Sequence, residues 1–136
     1  MTTPSSLSRP TDVPFGLRIA ARFAVAVATP LVKLKPRRLR RVLGVVHRGA
    51  RPAGYETAKA ARDAVLAVSL RCLGPQGCLP RSVAVVLLCR MSGTWPTWCA
   101  GVRIMPPFGA HAWVEADGVP VDENVPAQYF RPLMTV

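Results

Sequence analysis

Hydrophobic positions recur at helical spacing through the first two-thirds of this chain and alternate like a strand near its end. Leu17 to Ala28 predicts an amphipathic or core helix, interrupted by Arg18 and Arg22. Leu39, Val42, Leu43 and Val46 give one apolar face to a second, highly charged helix. Ala58, Ala61, Val65, Val68 and Cys72 predict a third, from Tyr55 to about Leu73, ended by Gly74. The run Val83 to Leu88, carried on to Met91 and stopped at Gly93, predicts a buried helix. Its β-branched content would also suit a strand, but its length favours helix. Gly74, Pro75 and Gly77 supply a turn before it, and Pro80 suits a first helical turn. Cys78 therefore sits where a loop enters the N-terminus of a buried helix.

Gly93 to Trp98 then reads as a turn, Cys99 to Ile104 as a short strand, and Met105 to Gly109 as a loop. Ala110 to Ala116 alternates as a strand, Asp117-Gly118 is a strong hairpin signal, and Val119 to Glu123 returns as its partner. The remainder is irregular and ends on an apolar tail able to pair with a sheet edge. The fold class this predicts is α+β, a helical N-terminal region packed on a core made of the Cys78 helix and a small antiparallel sheet. The chain divides into a Ser/Thr/Pro-rich lead-in (1–14), a basic helical region (15–54) and a core (55–136).

Charge sharpens that division. The net charge is +11. Residues 1–62 hold thirteen Lys or Arg against two acids, whereas residues 63–136 hold five of each. The basic run Lys33 to Arg41 reads either as a solvated helix face or as an electrostatic docking surface for an acidic partner. No aromatic residue interleaves with its arginines, which speaks against nucleic acid. The longest uncharged piece, Phe23 to Val32, is too short to span a bilayer. No convincing secretory signal is present, so a cytoplasmic location with reduced thiols is expected. Cys72, Cys78, Cys89 and Cys99 contain no C-x-x-C pair, so neither a zinc site nor any cofactor is expected.

A helix N-terminus lowers a thiol's pKa, which makes Cys78 a candidate nucleophile and His111 its candidate base. With a two-residue hairpin loop, side chains alternate so that His111, Trp113, Asp122 and Asn124 share one face. Asp122 then orients the imidazole. A three-residue loop would bring Glu123 there instead. Gln76 and the Cys78 backbone N–H are candidate oxyanion donors. Trp95 and Trp98 read as packing groups, and Arg81 and Ser82 as partners for the first turn of the helix.

Three stretches carry a resemblance: Cys-Leu-Pro-Arg-Ser at 78–82, Trp-Pro-Thr-Trp-Cys-Ala-Gly-Val-Arg at 95–103, and Ala-His-Ala-Trp-Val-Glu-Ala-Asp-Gly at 110–118. In this order they resemble the leader peptidases of lasso peptide biosynthesis, within the transglutaminase-like, papain-related cysteine proteases. The resemblance implies a catalytic triad of Cys78, His111 and either Asp122 or Glu123. It also implies a ribosomally made precursor peptide as substrate, cut between leader and core. A separate small leader-recognition protein and a lasso cyclase are the implied partners. Acyl transfer by the same triad, and a non-enzymatic basic peptide- or RNA-binding module, are the rival readings.

Overall fold

The computed structural model describes residue 10 and residues 12–74, 77–106, 108–123 and 127–136. Helices α1 (Phe15–Leu31), α2 (Pro36–His47), α3 (Tyr55–Val68), α4 (Leu70–Leu73) and α5 (Cys78–Met91) alternate with short strands β1 (Arg51–Pro52) and β2 (Thr94–Trp95). Strands β3 (Thr97–Arg103), β4 (Gly109–Ala116), β5 (Val119–Pro120) and β6 (Phe130–Thr135) complete the chain. This is the expected α+β architecture. The 93–98 turn holds an unexpected detail, since β2 pairs in parallel with β1.

Helix α5 is the centre. Its residues from Pro80 to Cys89 are all buried, and Val83, Ala84, Val85 and Val86 are wholly so. A helix apolar all round belongs inside a core. Burying a valine contributes about 1.5–3 kcal/mol, against a few tenths of a kcal/mol of lost helix propensity, so packing decides the conformation. Helices α1 and α3 lie against α5 through Ala21, Ala24, Ala28, Ala58, Ala61 and Ala64, small side chains that admit close approach. Trp98, Val114, Ala116 and Val121 close the core from the sheet side. Trp98 is anchored as its indole Nε1 donates to Ser82 Oγ at 3.1 Å, and that hydroxyl donates to Leu79 O at 2.9 Å.

The third helix is shorter than its apolar stripe implied. Ser69 leaves the helical region (φ −130°, ψ 112°), and its Oγ accepts from the Cys72 N–H at 3.1 Å. A hydroxyl at that position caps a new turn, α4, which keeps Cys72 buried after the break.

The larger sheet has the order β5-β4-β3-β6, antiparallel throughout. The apolar tail does pair with an edge: β6 lies along β3, with a register shift at Ala100/Gly101. There the backbones approach so closely that a Cβ on Gly101 would lie 2.0 Å from Arg131 O. Only glycine fits. Among the described residues no helix is long and apolar enough to cross a membrane.

Gly101→Ala should therefore destabilise the fold by about 3 kcal/mol or more, because the clash is with main chain. Chemical denaturation measures this. A variant with unchanged midpoint would show that β6 yields without cost.

Candidate active site

The hairpin obeys the two-residue register as far as Val121. Ala116 pairs with Val119, and the Val121 N–H donates to Val114 O at 3.0 Å. Asp117 and Gly118 both take positive φ (54° and 79°), the form a tight hairpin turn demands. Alternation then fails at the next residue. Asp122 itself adopts φ 49°, a left-handed conformation that aspartate tolerates better than most residues. The chain leaves the strand, and side-chain parity shifts by one position.

The expected partner of His111 is therefore corrected. Glu123, not Asp122, meets the imidazole, with Oε1 2.6 Å from His111 Nε2. Asp122 faces α3 instead, pairing with Lys59 Nζ at 3.0 Å and accepting from Tyr55 Oη at 3.1 Å. Burial pushes the Asp122 carboxyl up, but Lys59 and Tyr55 outweigh it and hold the group below the usual carboxylate range. Asn124 and Gln76 lie outside the described residues.

Cys78 opens α5, with Gly77 before it. Its thiol is hydrogen-bonded to His111 and to the Ala112 backbone N–H. Since Val114 O faces β5, Ala112 points to the same side of β4, beyond the two residues that β5 pairs. The open end of that edge holds the sulfur. With Nε2 committed to Glu123, Nδ1 is the imidazole nitrogen left for Cys78. Burial pushes the thiol up, yet hydrogen bonds from His111 and Ala112 leave it below its ordinary value. Burial likewise pushes His111 down, and its bonds to Cys78 and Glu123 carry it above the ordinary imidazole range. The two shifts together favour a thiolate–imidazolium pair.

Two buried arginines surround this relay. Arg62, 6% exposed, brings Nη2 within 3.9 Å of Glu123 Oε2. Arg81 donates from Nη1 to Cys72 O at 3.0 Å, so it ties α5 to α4 rather than serving its own first turn. Arg62 was invisible as a site residue in the sequence, since it lies on a different helix, 61 positions before Glu123. Phe130 was missed too. Its ring stacks on His111 (5.0 Å, 15°) and on Trp113 (4.8 Å, 24°). Trp113 is buried and donates from Nε1 to Glu115 Oε2 at 2.9 Å.

The remaining cysteines differ in kind. Cys72, Cys89 and Cys99 are buried. Burial pushes Cys89 and Cys99 up to about 12. Trp95 and Trp98 are buried packing groups. Among the described residues no cluster of His, Cys, Asp or Glu is arranged to hold a metal.

Thiol labelling near neutral pH should modify Cys78 and spare Cys89 and Cys99; equal labelling of all three would contradict the electrostatics. Glu123→Gln should cost about 10²–10⁴-fold in kcat/KM, whereas Asp122→Asn should cost less than about tenfold, since asparagine also accepts positive φ. Asp122→Val, a poor fit to that backbone, should cost more than Asp122→Asn by displacing Glu123. If Asp122→Asn proves the costlier of the first two, the assignment of Glu123 is wrong. A thiolate–imidazolium pair, which both shifts favour, would be lost at low pH as Cys78 gains a proton and at high pH as His111 loses one. Glu123→Gln removes one interaction that raises His111, so its alkaline limb should move to lower pH.

Comparison with known proteins gave no curated protein and no solved structure that matches this chain. A family model described as the transglutaminase-like superfamily matches residues 21–135. That span takes in most of α1 as well as the strands bearing His111 and Phe130. With a helix-start cysteine hydrogen-bonded to a strand histidine, and that histidine held by a buried carboxylate, the chain belongs to the transglutaminase-like superfamily.

Proposed function

We propose that this protein is a cysteine peptidase that removes the leader from a ribosomally made lasso precursor peptide. The observation that carries the reading is the relay Cys78–His111–Glu123, half-buried at the cysteine and buried at the His111–Glu123 pair. It lies within a chain whose three motifs, in order, resemble the lasso leader peptidases. Superfamily membership supports cysteine peptidase or acyltransferase chemistry alike; the motifs favour the peptidase.

In the proposed reaction Cys78 Sγ attacks the scissile carbonyl carbon, forming the C–S bond. The Cys78 backbone N–H, in the first turn of α5 where no intrahelical acceptor serves it, stabilises the oxyanion. His111 gives its Nδ1 proton to the departing amine as the C–N bond breaks. Water then enters, His111 takes its proton, and hydroxide attack on the thioester releases the carboxylate product and the thiol. Glu123 keeps the imidazole oriented and stabilises its cationic form. Location in the cytoplasm, a separate leader-recognition protein and a downstream cyclase belong to this proposal. Phe15, Ile19, Phe23 and Val27 form an exposed apolar stripe along α1.

Incubation with a precursor peptide and its recognition protein, read by mass spectrometry, tests the reading. Two hydrolysed fragments are expected from the unchanged chain, and none from Cys78→Ala or His111→Ala, with both variants folded. A product joined to an added amine would establish acyl transfer instead, and cleavage by Cys78→Ala would falsify the nucleophile assignment.

A further inference from the structure

Helix α2 presents Arg37, Arg40, Arg41 and Gly44 on one face, at the i, i+3, i+4, i+7 positions. Together with Leu133 to Val136 at the end of the chain, that face encloses a groove of about 680 Å³. No acidic side chain lines it. Among the described residues none of the three arginines forms an ion pair.

Gly44 is the second observation. It lies in the helix interior, where glycine is destabilising relative to alanine. A Cβ there would meet nothing within 4 Å, and no positive φ requires a glycine. Neither packing nor backbone conformation explains it. Its place in the groove does, because any side chain at 44 would take up space between the arginines and β6.

The groove is also connected to the active site. Phe130, at the start of β6, stacks on His111. Leu133 follows three residues later, about 10 Å along the strand at ~3.3 Å per residue. Pro132 has no N–H to donate, so β6 is a poor template for adding a strand. Recognition there falls to the arginine side chains, which bind carboxylates through paired N–H groups.

We propose that the α2–β6 groove is a docking site for an acidic, extended segment of the peptide substrate, several residues away from the bond Cys78 attacks. The inference rests on the peptidase reading, but its test does not require turnover. A short fluorescent peptide alternating Glu and Ser, and its Gln-for-Glu counterpart, are titrated against the full chain carrying Cys78→Ala, with anisotropy as the readout. The Glu peptide should bind and the Gln peptide should not. Replacing Arg37, Arg40 and Arg41 together by Gln should weaken binding by about tenfold or more. Gly44→Trp leaves every charge in place and should weaken binding comparably by filling the groove; circular dichroism checks that both variants fold. Undiminished binding by Gly44→Trp would show that surface charge alone attracts the peptide and would overturn the groove. Tighter binding of a single-stranded oligonucleotide than of the Glu peptide, abolished by the same variants, would overturn it in favour of nucleic acid. Binding of the Glu peptide that the groove variants abolish, in a protein that cleaves no precursor, supports the groove and sinks the peptidase reading alone.

Discussion

The contact on which the site depends is the 2.6 Å hydrogen bond between His111 Nε2 and Glu123 Oε1, with both side chains almost wholly removed from solvent. A carboxylate at that depth needs compensation, and it receives it from His111 on one oxygen and Arg62 on the other. The network therefore joins α3, β4 and the segment after β5. Removing one member would leave the others charged and buried, a loss of about 3–5 kcal/mol for such pairs.

Much of this arrangement was legible in the sequence. The helix-start position of Cys78 followed from Gly77, Pro80 and a long apolar run, and each is a local signal. The strand bearing His111 followed from alternation, and the two-residue turn from Asp117-Gly118. The identity of the carboxylate did not follow, although the register was read correctly up to Val121. Parity holds only while each residue stays extended, and one left-handed residue at Asp122 reverses it. Aspartate admits that conformation without requiring it, so its presence alone does not mark the reversal.

Other features were hidden because their causes are remote in sequence. The break at Ser69 interrupts a stripe that continues in phase through Cys72, so periodicity alone shows one helix. Arg62 shares a buried stripe with the alanines of α3, and its link to the site exists only once α3 is packed beside Glu123. Phe130 lies in a Pro-rich tail whose pairing with β3 depends on Gly101, nearly thirty positions earlier. Short-range chemistry in the sequence placed Cys78 at a helix start and His111 on a strand, and tertiary packing chose what surrounds them.

The stack of Phe130 on His111 has a kinetic consequence. An imidazole covered on one face and tethered at Nε2 cannot turn over to exchange its two nitrogens. In the proposed reaction, the proton taken from sulfur must leave from the same Nδ1 that received it. The departing amine and the incoming water then compete for one position beside that atom, and they cannot occupy it together. In that reaction the acyl-enzyme itself makes loss of the first fragment precede hydrolysis of the second, and the aromatic side chain from the last strand confines both proton transfers to one nitrogen.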